Sequence, residues 1–451
     1  MKHFYTLCIF SFLSVLSVYS QVSDSTTSLM NRSAGLKMID QGKIFIGEGK
    51  IREALIVFRE ASVKDPMQWK ASYWIAYCHN QLGNFGYANQ YARETIKKAG
   101  TEVDVEIFEI LATSFHQLNQ LDSALYYYSA CKEKLSKVRF NQLRIDQKIV
   151  NCEFAKTATN SENKRIPLGL TINSGADEYA PILAENGSAL YFTARRANST
   201  GGMINAGDQD YLEDIYRATW NLQTRQWDSI TNILPRLNTK GHDALNWIAP
   251  DGLTAVVTWN NVMTDDKKHT KSSDICEVEY TKKSSWSTPR IIPNKTINTS
   301  FFEGSATLTA DGNTMYFVSD RKGEKKSTDI YVVQKRGKTW GEASALPDSI
   351  NTIGRETTPF ISADGRFLFF SSDGHTGMGG MDIFVSEKTN RGWSKPVNLG
   401  PSINTVNDET HFSINFSTKK AFCAGVELIG LKSNYNCFEF DVNQLHLPFK
   451  W

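Results

Sequence analysis

Two regimes of hydrophobic patterning divide the chain. From Ala34 to Lys137 apolar residues return every three or four positions, as in "IREALIVFREASVK", which predicts amphipathic helices. Beyond Arg165 the period changes to short alternating runs of β-branched and aromatic residues broken by Gly, Asp and Asn, which predicts strands joined by tight turns. The polar, aperiodic "ATNSENK" between them reads as a linker.

The helical part repeats. Small residues stand at Gly42, Ala76 and Ala112 on the first helix of each expected pair, and at Ala54, Ala88 and Ala124 on the second. They allow close helix approach, while Phe45, Phe58, Phe115 and Tyr128 fill the space between pairs. Ala54, Ala88 and Ala124 lie 34 and 36 residues apart. Each pair leaves an apolar face that stacking closes, and one helix from about Val138 to Lys156 is expected to cap the array. This stretch resembles tetratricopeptide repeat domains, whose first helices line a groove for an extended peptide. The resemblance places Tyr73, Tyr77, Asn80, Gln81, Glu109, Thr113 and His116 in a partner groove. The alternative is an array that packs only against the rest of the chain.

The strand region also repeats, five times, from Asn173, Asn238, Asn298, Asn351 and Asn404. Five residues after each Asn stands an acid: Glu178, Asp243, Glu303, Glu356 and Glu409. A turn pair follows thirteen residues after the Asn: Asn186-Gly187, Asp251-Gly252, Asp311-Gly312, Asp364-Gly365 and a degenerate Ser417-Thr418. Third strands open at Asp214, Asp274, Asp329 and Asp382, more faintly at Asn436, and fourth strands follow a Trp. Four antiparallel strands per unit, repeated around an axis, make a β-propeller of five blades. "RIPLGLTIN" matches the end of a unit, so the N-terminal strand is expected to complete the last blade. The fold class is therefore multidomain α+β, an N-terminal helical array followed by an all-β propeller.

The acid, turn and aromatic-strand order resembles the WD40-like repeats of TolB-type propellers. With the helical repeats, it resembles the front part of Bacteroidota envelope proteins that go on to a peptidoglycan-binding domain of the outer membrane protein A type, some serving type IX secretion or gliding. Here "HLPFKW" ends the sequence after the fifth unit, so direct anchoring to the cell wall is not implied. The expected division is a signal peptide at 1–20, a flexible segment at 21–33, the helical domain at 34–157, the linker at 158–164 and the propeller at 165–451.

Composition narrows the function. Lys and Arg number 50 against 48 Asp and Glu, so no global field favours nucleic acid. The basic start and apolar run of "MKHFYTLCIFSFLSVLSVYS" read as an export signal, and no later apolar stretch reaches the length of a membrane span. After Cys8, the six cysteines are scattered without a C-x-x-C, which argues against a zinc knuckle. Cys423 and Cys437 flank a short loop and are a candidate disulfide.

Catalytic motifs are sparse: G-x-S-x-G, H-E-x-x-H and G-x-x-x-x-G-K-[ST] are all missing. The five acids are either a channel mouth that binds a cation or a basic peptide or, preferred here, structural latches that accept hydrogen bonds from the Asn-Thr turn or a neighbouring blade. "DQDYLED" (Asp208 to Asp214) lacks the Gly and closing Glu of a calcium loop. "HTGMGGMD" offers Met378, Gly379, Gly380 and Met381 as a partner loop. The expectation is a non-enzymatic, cofactor-free envelope scaffold with protein or peptide partners, exported to the periplasm or peripherally associated with the outer membrane. The rivals are a peptide or glycan receptor using the propeller channel and an enzyme using its carboxylates.

Overall fold

The computed structural model describes residues 27–158, 164–184, 187–205, 209–260, 273–281, 285–321, 327–445 and 447–448. The expected signal segment, most of the linker, Asn186 and Asp208 lie outside the described residues.

Eight α-helices come first among the described residues: α1 (Leu29–Gly47), α2 (Ile51–Lys64), α3 (Trp69–Gln81), α4 (Phe85–Ala99), α5 (Ile107–Gln117), α6 (Leu121–Lys134), α7 (Lys137–Gln142) and α8 (Ile145–Ala158). The small residues do what their spacing predicts. Ala54, Ala76, Ala88, Ala112 and Ala124 are fully buried, and a Cβ on Gly42 of α1 would sit 2.4 Å from the Phe58 ring of α2. The expected capping helix is two helices. Arg144, in the left-handed region at φ 52°, ends α7 and sends α8 back along α6, the turn by which many helices terminate. Among the described residues no helix is long and apolar enough to cross a membrane.

Five sheets follow, each one blade. The inner strands are Glu178–Ala184, His242–Ile248, Glu303–Leu308, Glu356–Ile361 and Glu409–Asn415. Each is followed by a second strand packed between neighbouring blades, so Ala189–Ala194 and Phe367–Ser372 are buried at every residue. Such strands read as continuous apolar runs rather than alternating ones. Gly187, Gly252, Gly312 and Gly365 take the positive φ that the first hairpins require, and Lys419 takes it at φ 54° in the degenerate fifth turn. Ile166–Pro167 pairs with Glu439 and Phe438 on the third strand of blade 5. The N-terminal strand thus completes the last blade and closes the ring.

Every inner strand carries a break in register with its neighbour. In four of them the residue two after the acid lies in the left-handed region: Ala180 (φ 52°), Ser305 (49°), Thr358 (47°) and His411 (54°). In blade 2 the break falls one residue later, between Leu245 and Trp247. Bulges bend a strand and re-aim its side chains.

Candidate functional site

The repeated Asn and acid form a staple between consecutive blades. Asn351 accepts from the Ile330 backbone N–H and donates to the Ile330 carbonyl, on the third strand of blade 3. Asn238 does the same to Ile215, Asn298 to Ile275 and Asn404 to Ile383. Asn173 clasps Cys437 of blade 5 in the same way. The next residue faces the following blade. Backbone N–H and hydroxyl of Thr352 both donate to Glu356, as those of Ser174, Thr239, Thr299 and Thr405 donate to Glu178, Asp243, Glu303 and Glu409. Adjacent residues therefore hold adjacent blades.

The five acids are buried and have their donors, including Arg196 on Glu178, Arg321 on Glu303 and Arg165 on Glu409. Each accepts from the turn four residues before it, so the five are not a bare ring. Burial pushes the carboxyls of Glu178 and Glu356 up and those of Asp243 and Glu409 up to about 7. The propeller mouth facing the helices is formed in part by the residues that precede the acids: Asp177, Arg355 and Asp408. No motif marked them.

The expected groove and the expected partner loop meet each other. His116 on α5 donates from Nε2 to the Met378 carbonyl at 2.8 Å, and Asn151 on α8 accepts from the Gly377 N–H at 3.2 Å. Met378 and Val406 of the propeller belong to the same buried cluster as Tyr73, Phe115 and Tyr128 of the array. Burial lowers the His116 pKa to about 4, so it is neutral at the junction. The loop's glycines serve proximity. A Cβ on Gly379 would lie 2.1 Å from the Val406 carbonyl oxygen, and one on Gly377 equally close to Asp382 Oδ2. Arg144 donates from Nη1 to Asp373 Oδ1 at 3.1 Å, which joins the helix break to the end of the second strand of blade 4.

The other groove residues divide. Tyr73 is core and Tyr77 half-buried beside Trp74. Glu109 pairs with Lys148 and accepts from Thr113. Asn80, Gln81 and Thr113 line a cleft of about 980 Å³ between the array and the propeller mouth. Facing them are Arg355, bonded to Asp373, and Tyr435, which donates to Asp408. Four arginines (Arg52, Arg144, Arg195, Arg355) and four aspartates (Asp177, Asp210, Asp373, Asp408) line this cleft, which makes it polar and charge-balanced. The Asn80 side-chain oxygen has no partner among the described residues.

The cysteine pairing is corrected. Cys423 and Cys437 are free, because Cys423 stands opposite Phe438 and Cys437 opposite Ala424. A one-residue offset sends the two thiols to opposite faces of the sheet. In "DQDYLED", Asp214 accepts from Thr200 and Asn232, and Asp210 faces Arg52 at 3.6 Å.

No family model matches this chain, and no curated protein matches it. Among solved structures it is similar to a prolyl endopeptidase, at 9% identity over 61% of this chain with a TM-score of 0.31, and spans 43% of that protein's length. An α-L-arabinofuranosidase from Podospora anserina matches at 10% identity over 61% of this chain and 95% of its own, with a TM-score of 0.38. A glycoside hydrolase matches at 8% identity over 68% and 96%, with a TM-score of 0.37. Likenesses this loose say nothing about what the chain binds or does.

Proposed function

We propose that this chain is a non-enzymatic scaffold of the cell envelope that holds an extended segment of a partner protein in the cleft between the helical array and the propeller. One observation carries the reading: Asn80, Gln81 and Thr113 from the array face Arg355 and Tyr435 from the propeller across a single polar cleft. Carboxamides and hydroxyls suit a peptide backbone, which offers alternating donors and acceptors. The balanced arginines and aspartates suit side chains of either sign. The repeated carboxylates are all committed to turns, which favours a binding role over a catalytic one. The N-terminal twenty residues, with their basic start and apolar run, favour export.

A photo-crosslinking residue at Gln81, which is exposed on the array, tests this in envelope fractions. One stoichiometric partner is expected, with capture reduced about tenfold by Asn80→Ala or Arg355→Ala. Capture that both substitutions leave unchanged would sink the reading, as would equal capture from a probe at Leu222, 83% exposed on the far edge of blade 1.

A further inference from the structure

The propeller has a second mouth, away from the helical array. It opens into a cavity of about 1150 Å³ lined, among the described residues, by the propeller alone, somewhat above the roughly 300–1,000 Å³ of small-molecule sites. Trp247, Tyr280, Phe360 and Phe416 wall it, and the bulge residues Thr358 and His411 line it deeper along the inner strands. Tyr280, which meets Trp286 edge-on, is 40% exposed and Phe416 37%, so both can contribute apolar surface to a ligand. Among the described residues lining the cavity, Arg217 and Asp251 alone carry a fixed charge. The helix-facing mouth, with four arginines and four aspartates, is its opposite in character.

We propose that this cavity binds a neutral oligosaccharide. A sugar ring is two-sided: its C–H faces pack on aromatic rings, and its hydroxyls need uncharged donors and acceptors. Both are present, the second as Asn246, Ser413 and His411. Burial lowers the His411 pKa to about 4, so the imidazole meets a hydroxyl uncharged. Asn246 donates to Thr258, Ser413 to the Pro181 carbonyl, and His411 Nδ1 bonds the Thr410 hydroxyl; an acyl chain would make no use of the hydrogen-bonding capacity these groups keep beyond those bonds. An acidic polysaccharide would meet, among the described lining residues, a single cationic side chain, Arg217, set against Asp251. A peptide added as a strand needs an uninterrupted edge, and the breaks in register interrupt the inner strand of every blade.

The full chain titrated with maltohexaose, cellohexaose and N-acetylchitohexaose, followed by tryptophan fluorescence and calorimetry, tests this. At least one should bind with a dissociation constant below about 1 mM. Tyr280→Ala and Trp247→Ala should each weaken it about tenfold, while Arg355→Ala, on the other mouth, leaves it unchanged. Tyr280 is exposed enough that its variant should fold, and its melting temperature confirms this. No binding of any of the three would overturn the proposal. So would binding insensitive to both substitutions, or preferential binding of oleate or of a hexagalacturonate. Because the cleft variants and the cavity variants lie on different faces, failure here leaves the partner-binding reading standing, and the reverse.

Discussion

Asn351 uses its carboxamide as an acceptor and a donor on a single residue, Ile330, and donates again to the Leu346 carbonyl. Asn351→Ala should leave the Ile330 N–H and the Leu346 carbonyl without this partner, at roughly 1–3 kcal/mol per group, while the Ile330 carbonyl keeps the Leu346 N–H. A loss of about 2–4 kcal/mol in denaturant unfolding is expected, and Asn351→Asp, which sets a buried carboxylate against the Ile330 and Leu346 carbonyls, should cost at least as much. The acids call for a different test, because burial moves their protonation. Among the described residues the Asp243 carboxyl is bonded only by Thr239, and its folded-state pKa of about 7 lies above the unfolded value of about 3.9. Its contribution to stability is therefore fully present below about pH 4 and is lost as the pH rises through about 7. Asp243→Asn keeps an acceptor for the Thr239 N–H and a donor for its hydroxyl without titrating. The wild type should lose stability relative to this variant between about pH 4 and pH 8, by on the order of a few kcal/mol. Parallel pH profiles for the two proteins would show that Asp243 stays ionised in the fold.

The closing strand of the propeller makes the case for elements. Ile166–Pro167 contributes only two paired residues, but Arg165 beside it bonds Glu409 and lies over the Phe438 ring at 4.6 Å. Asn173 clasps Cys437 just downstream. This is the seam at which the last blade meets the first, and the others are held by unbroken chain. Asn173→Ala should therefore cost about as much at equilibrium as Asn351→Ala but speed unfolding by about tenfold more, read from the unfolding arm of a chevron. Equal unfolding rates would mean the ring does not open here first. The blades were legible in the sequence because each rests on local rules: a Gly at a hairpin, a buried second strand, an acid four residues from its Thr. What depends on distant pieces was not. The capping helix read as one because Phe140, Ile145, Ile149 and Cys152 keep a helical period across the break at Arg144, whose left-handed turn leaves no mark in that period. The Cys423–Cys437 pairing failed on a single step of strand register, which loop length alone does not fix.

At the scale of the whole molecule, the expected groove and the expected partner loop meet each other at His116 and Met378, the packing against the rest of the chain that stood as the alternative to a partner groove there. The seam has two ends. At one, Met378 enters the helical core and its carbonyl meets His116. At the other, α4 lies so close to the blade 5 hairpin that a Cβ on Gly86 would stand 2.8 Å from Leu431 Cα, and Ser433 bonds the Gly83 carbonyl. Met378→Asp would bury an uncompensated carboxylate among apolar side chains, at several kcal/mol, and Gly86→Leu would force the hairpin away. Either substitution should open the seam while each half keeps its own core. The radius of gyration from solution scattering should rise, and the α5 amides should exchange faster, with the propeller's melting transition unmoved. Scattering identical to the wild type for both variants would show that the seam tolerates these intrusions. If it opens, capture at Gln81 should fall with it, because the cleft exists only while both halves face each other. Oligosaccharide binding at the opposite mouth, built wholly within the propeller, should survive.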